Sequence, residues 1–199
     1  AQKMVLAGFG HAGDRVLAAT SPSSTLADLK EHSLFLPLPR HLVLDDVAKE
    51  AALPDWEDHY KMLAHLVDTK QVSAALLTPH QIGTTGTTSK FSAVSDFTFG
   101  ASWHGLVLAE SALAGMTNAA RATLLSHAKQ MSAELTLKLR QEGAQLVAHM
   151  LSNGATRMVW SADELAKLDG VAQAVRSNLR LLVTPAVLAE ISGAIANVP

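Results

Sequence analysis

The chain has 199 residues, 48% of them hydrophobic and 17% charged, with a formal net charge of −2. This composition supplies a packed core and excludes a disordered chain, and the absence of any long basic block excludes nucleic acid and anionic membrane as partners. The lack of cysteine excludes disulfides and thiol chemistry, and no apolar run approaches the roughly 20 residues that span a bilayer. Ala1-Gln2-Lys3 lacks the basic start and apolar stretch of a signal peptide, and Ala-Gln reads as the first pair of a mature chain after signal cleavage.

In chain order, Lys3–Ala7 is expected to form a short buried strand ended by Gly8-Phe9-Gly10. Thr20–Ser24 has loop chemistry, Thr25 caps a turn over Leu26–Lys30, and Ser33–Leu36 reads as a second strand stopped by Pro37 and Pro39. Helical spacing predicts helices over His41–Ala52 and from Pro54-Asp55 onward, the latter with Trp56, Tyr60, Leu63 and Val67 on one face. Val72–Leu77 reads as a buried strand and the Gly- and Thr-rich stretch His80–Lys90 as a loop or hinge. Phe91–Phe99 and His104–Ala109 suit strands.

The second half is helical. Thr117 caps a pattern running through Ala120, Leu124, Ala128, Met131, Leu135, Leu139, Val147 and Met150 to a left-handed terminator at Asn153-Gly154. That is about 35 residues, or roughly 50 Å at 1.5 Å per residue, so the helix must lie across more than one packing unit; Gly143 is the place for a bend. A short strand at Arg157–Trp160, a capping box at Ser161–Glu164 that opens a helix, and a last helix from Thr184-Pro185 follow. The order of elements defines an α/β fold with mixed strand directions.

Several motifs invite chemistry and fail on context. Gly8-Phe9-Gly10-His11-Ala12-Gly13 matches the dinucleotide pattern G-x-G-x-x-G, in which glycines let the backbone approach a pyrophosphate. The stretch that follows is too short for the required helix, however, and the second strand ends without an acidic residue for a ribose. Gly83–Lys90 lacks the P-loop spacing. The nine histidines include no H-E-x-x-H or H-x-H pair, so no metal site is expected. Ser126–Lys129 matches S-x-x-K, yet its companion motifs are missing and it lies inside the long helix. Asp45-Asp46 and Glu57-Asp58 point to diverging helix faces rather than forming acid/base couples. Trp103-His104, between two strand-like segments, reads either as the lining of a ligand cleft or as a buried Trp beside an exposed His.

Taken in order, these pieces resemble the second half of TRAP-transporter (DctP-type) substrate-binding proteins. Ser24-Thr25-Leu26-Ala27-Asp28-Leu29-Lys30 is similar to that family's "T-x-x-D-L-K-G" turn, and the strand Ser33–Leu36 follows it as it does there. Ala51–Pro54 resembles "G-A-x-P", Met62–Ser73 a helix and strand, Lys90-Phe91 and Val94 "K-F-x-E-V", and Ser102-Trp103-His104 falls near "T-N-H". The resemblance covers nearly the whole chain. It implies an exported, periplasmic protein that binds a small molecule between lobes without catalysis or cofactor and works with a membrane transporter or another envelope protein. It also implies one TRAP-receptor-like domain, comprising an α/β lobe over 1–116, the long helix over 117–152 and a C-terminal part over 153–199, with the first lobe of the family mostly absent.

This chain departs from the family where the ligand is read. The position matching the family's carboxylate-binding Arg is Phe35, which cannot pair with a carboxylate, and "V-D-G-Q-E-N-P" is replaced by Val72–Pro79, leaving Ser73 and Thr78 as polar readers. The expected ligand is therefore small and not strongly acidic. The expected lining is Gly10, His11, Phe35, Thr78, Trp103 and His104, with apolar or stacking contact from Phe35 and Trp103 and hydrogen bonds from His11, His104 and Thr78. The alternative is an interaction or assembly protein that keeps the scaffold without solute binding, and a second copy of the chain is one way to complete a half-cleft. A third reading, a nucleotide-dependent enzyme, rests on Gly8–Gly13 alone.

Overall fold

A computed structural model describes residues 3–35 and 56–179; the helices expected over His41–Ala52 and at Thr184-Pro185, and the start at Pro54-Asp55, lie outside the described residues. In chain order the elements are β1 (Met4–Asp14), β2 (Val16–Ala19), α1 (Leu26–Lys30), β3 (Leu34–Phe35), α2 (Trp56–Asp68), β4 (Ala74–Leu77), α3 (Pro79–Thr84), β5 (Ala93–Ser95), β6 (Ala101–Ala109), α4 (Glu110–Leu113), α5 (Asn118–Ser152), β7 (Thr156–Met158) and α6 (Ala162–Leu179). Contacts divide the chain into two units, one of Ala1–Pro22 with Glu31–Val159 and one of Ser23–Lys30 with Trp160–Pro199.

The first unit holds two sheets. A mixed sheet runs in the order β3-β4-β2-β5-β7, and an antiparallel ribbon pairs β1 with β6. In the mixed sheet β2 lies antiparallel to β4 and β5, while β3–β4 and β5–β7 are parallel. Every residue of β2 is buried, which suits the continuous apolar run Val16-Leu17-Ala18-Ala19 of a central strand covered on both faces. Leu63 and Val67 of α2, Phe35, Leu77, Ile82, Phe91 and Met150 complete the core around it. Only Arg15 separates β1 from β2. The pairing is carried across this join by Arg15 N–H to the Gly100 carbonyl (2.8 Å) and Phe99 N–H to the Arg15 carbonyl (2.9 Å). Two chain segments thus run from the sheet straight into the ribbon.

β1 is longer than the glycines suggested. Gly8-Phe9-Gly10 does not end it; the strand continues to Asp14, with irregularities in the pairing between Leu6 and Gly8 and between His11 and Gly13. The reason is packing against α5. A methyl at Gly8 would lie 2.6 Å from the Ala128 carbonyl oxygen, and one at Gly10 would meet Thr136 Oγ1 and the His104 ring. These glycines admit a helix rather than a phosphate. The segment after them is strand β2, so the helix a dinucleotide site requires is absent.

α5 forms as read. The Thr117 hydroxyl accepts from Ala120 N–H, Asn153 closes the far end, and Gly154 takes φ 93°. It runs unbroken through Gly143, which packs against Pro79. Ala128, Ser132, Thr136 and Arg140 face the ribbon, and Val147, Met150 and Leu151 face the core of the mixed sheet. One helical stripe serves both sheets, which accounts for its length. A further departure is α3: the stretch expected as a loop begins with a helix. Thr78 Oγ1 accepts from Gln81 N–H (3.3 Å) and Gln81 Oε1 accepts from Thr78 N–H (2.9 Å), a complete capping box followed by Pro79 at the first turn.

In the second unit, Thr25 and Asp28 cap α1 reciprocally: Asp28 N–H donates to Thr25 Oγ1 (3.1 Å) and Thr25 N–H to the Asp28 carboxylate (2.9 Å). Ser161 Oγ accepts from Glu164 N–H (3.3 Å) at the start of α6. The Glu164 carboxylate accepts from Leu26 N–H (2.9 Å) and pairs with Lys167. The Trp160 indole donates to the Ser23 carbonyl (3.0 Å).

Candidate functional site

A cavity of about 750 Å³ opens in the first unit where ribbon and mixed sheet meet. The end of β1 (Ala12, Gly13, Asp14), the turn from β4 into α3 (Thr78, Pro79, His80), the turn from β5 towards β6 (Ser95 to Thr98), Arg157 of β7 and the face of α5 from Leu139 to Leu151 line it. The ends of several strands converge here because the two continuous segments cross from one sheet to the other at this point, and α5 closes the side.

The polar groups fall into two sets. Thr78 and Ser95 are buried and structurally committed. Thr78 caps α3, while Ser95 Oγ accepts from Leu17 N–H (3.0 Å) and donates to the Phe97 carbonyl (2.7 Å). The charged set is Asp14, Asp96, Arg140 and Arg157, with His80 held against Glu142 at 3.3 Å. Asp14 Oδ1 lies 3.1 Å from His11 Nε2, and Arg140 Nε donates to His11 Nδ1 at 3.3 Å. No ion pair joins either arginine to either aspartate among the described residues. Arg15 Nε, at the join of the two sheets, is buried with no hydrogen-bond partner among the described residues.

Of the residues singled out in the sequence, Thr78 lines this cavity. His11 lies behind its wall, its side chain 9% exposed. Gly10 and His11 pair across the ribbon with His104 and Trp103, so four of the six expected residues are brought together, on the ribbon rather than in the cavity. Trp103 is 54% exposed and stacks on Phe9 at 5.2 Å, while both ring nitrogens of His104 are buried without a partner among the described residues. The reading of a buried Trp beside an exposed His is thus reversed. Phe35 is 7% exposed and belongs to the core of the mixed sheet. Sequence reasoning missed Asp14, Asp96, Arg140 and Arg157. For Arg140 a signal existed: it sits four residues beyond Thr136 on the stripe Ala128–Ser132–Thr136, a charge on the packed face of the helix. Among the described residues no group of three or more His, Asp or Glu could hold a metal ion, and no helix is long and apolar enough to cross a membrane.

This architecture has solved counterparts. An extracytoplasmic solute receptor of Bordetella pertussis binding pyroglutamic acid superposes with a TM-score of 0.76 at 12% identity, over 91% of this chain and 59% of that one. A TRAP periplasmic solute-binding protein of Ochrobactrum anthropi, with its C-terminus bound in its ligand-binding pocket, gives 0.76 at 12% identity over 96% of this chain and 59% of that one. One from Pseudomonas aeruginosa with bound L-malate gives 0.68 at 16% identity over 88% and 61%. This chain therefore spans about three fifths of the length of these structures. No family model and no curated protein matches the sequence. The chain has the mixed α/β fold of the TRAP periplasmic solute-binding proteins, as the ordered motifs implied.

Proposed function

We propose that this chain is the ligand-recognising part of a non-catalytic solute receptor of the bacterial envelope, exported to the periplasm and working with a membrane transporter. The observation that carries the reading is the cavity at the junction of the two sheets. Its volume suits a small organic molecule, and apolar walls with a few convergent polar groups are the usual make-up of such a site. The buried hydroxyls of Thr78 and Ser95 are committed to main-chain partners, leaving neither as an activated nucleophile. Among the described residues two arginines and two aspartates line the cavity, so their formal charges cancel with histidine neutral. This balance supports a ligand with no more than one net negative charge, in keeping with Phe35 at the family's arginine position. The test is native mass spectrometry of protein purified without denaturation, followed by calorimetry with the solute identified. A retained small mass that rebinds the stripped protein supports the reading; a bare chain that binds no member of a small-organic-acid panel counts against it.

A second reading, an assembly protein, is favoured by one observation: Met4, Leu6, Phe9, Trp103 and Val107 stand exposed on the ribbon, an apolar surface of the kind that marks interfaces. Sedimentation equilibrium separates the two. A concentration-dependent mass abolished by Phe9→Ser with Trp103→Ser supports assembly, and a monomer at all concentrations removes it.

A further inference from the structure

Resting on the solute-binding reading, we infer that Arg140 holds the anionic group of the ligand, and that His11 and Asp14 are positioning residues for it. Arg140 Nε donates to His11 Nδ1 at 3.3 Å, and His11 Nε2 stands 3.1 Å from Asp14 Oδ1. An arginine Nε always carries its hydrogen, so Nδ1 must offer a lone pair. His11 is thereby the neutral tautomer with its hydrogen on Nε2, and that hydrogen is donated to Asp14.

The ring is held from further directions. His11 N–H donates to Thr136 Oγ1 at 3.0 Å, one turn before Arg140 on the same helix stripe, and Trp103 stands edge-on to the imidazole at 5.3 Å. Both ends of the Asp14–His11–Arg140 chain line the cavity and its middle does not. The side chains of His11 and Asp14 are 9% and 55% exposed. Anchoring through Nε leaves both terminal nitrogens of the guanidinium, unpartnered among the described residues, as the planar fork that takes a carboxylate with two parallel hydrogen bonds. Asp14 contacts the imidazole, not the guanidinium, so the positive charge at the cavity is not cancelled by direct pairing. Phe35 lies in the core of the mixed sheet, and the cation at the cavity comes from the long helix. Among the described residues the lining charges balance, so the ligand class is a small molecule with a single carboxylate.

The test is calorimetry with pyroglutamate, its uncharged counterpart 2-pyrrolidone, and L-malate and malonate as dicarboxylates. The wild type is expected to bind pyroglutamate, bind malate and malonate more weakly, and leave 2-pyrrolidone unbound. Arg140→Met should weaken pyroglutamate at least tenfold; Arg140→Lys, which keeps the charge but loses the fork, gives the same reading should the methionine variant fail to fold. His11→Leu should weaken binding several-fold. His11→Gln should restore most of it, because the amide oxygen can accept from Arg140 and the amide nitrogen donate to Asp14. Long-range proton–nitrogen NMR of the wild type should show His11 as the Nε2–H tautomer. Pyroglutamate binding indifferent to both Arg140 variants overturns this assignment alone, and equal losses in His11→Leu and His11→Gln overturn the positioning role. A wild type that binds none of the four solutes overturns the assignment, while the solute-binding reading is decided separately by the native mass spectrum.

Discussion

Gly8→Ala tests the argument that the glycines of β1 exist to admit α5. A methyl there lies 2.6 Å from the main-chain oxygen of Ala128, against the 3.4 Å at which ordinary contact begins, and also meets Ser132 Oγ. A hydroxyl can rotate away, but a helix carbonyl cannot, so ribbon and helix must part by several tenths of an ångström along the Ala128–Arg140 stripe. That separation also stretches the Thr136–His11 hydrogen bond. Overpacking of this kind costs about 2–3 kcal/mol, and at roughly 2–4 °C per kcal/mol for a chain of this size the melting temperature should fall by roughly 4–12 °C. The assay is thermal unfolding by circular dichroism, with Gly115→Ala, where nothing lies within 4 Å of an added methyl, as the control that should not move. Adding Ser132→Ala to Gly8→Ala should recover only a minor part of the loss, since the carbonyl remains. A Gly8→Ala melt within about 1 °C of the wild type would show that helix and ribbon do not pack as described.

Thr78→Ala removes the capping box of α3 and should cost about 1 kcal/mol, with Thr78→Ser retaining most of the stability; chemical denaturation measures both. Gly170→Ala, at an exposed position inside α6 with open space around it, should stabilise by about 0.5–1 kcal/mol through helix propensity, and a lower melting temperature would contradict the helix there. The hydrogen bond from Lys167, and after it that from Leu26 N–H, hold the Glu164 carboxyl below its ordinary pKa. A depressed folded-state value stabilises above the unfolded value, near 4.3, and that contribution disappears as the pH falls through the folded value. Melts of wild type and Glu164→Gln should therefore differ at neutral pH and converge on acidification below about pH 4.

What was legible in the sequence was what local signals encode. Thr117 and Asn153-Gly154 bound α5, and Val72–Leu77 carries the apolar run of a buried strand; Val16–Ala19 carries one too, but a run of four residues is too short to stand out beside the glycines. The misreadings share a cause. Gly8, Gly10 and Gly13 look like turn residues because glycine is a turn residue in isolation; only the presence of α5, more than a hundred residues away, makes the first two a packing surface. At α3 the T-x-x-Q box of Thr78–Gln81 was visible, but the glycines and threonines after it drew the reading towards a loop. Arg140 and Arg157 look like solvated helix and strand charges until the fold brings them to one cavity with Asp14 and Asp96, a convergence no local pattern states. The order of motifs along the whole chain did carry the fold, because topology constrains order even where the individual residues differ.

Phe35 offers the sharpest separation between shared fold and local function. On β3, the outermost described strand on its side of the sheet, it pairs in register with Ala75, is 7% exposed, and packs in the cluster of Val16, Leu63 and Leu77. Phe35→Arg would put at this position the residue type that the resemblance leads one to expect there, but on this backbone it places a cation among apolar side chains. Burying an unpaired charge costs several kcal/mol even after relaxation, and losing the phenyl ring adds a cavity. The long aliphatic stem lets the guanidinium lean away from the cluster and relieve part of that, leaving a net loss of about 3 kcal/mol. Denaturant unfolding together with calorimetry should show a destabilised variant with no gain for pyroglutamate. A stable Phe35→Arg protein that binds pyroglutamate tenfold better than the wild type would place the ligand against β3 and remove the cavity at the junction of the two sheets from consideration.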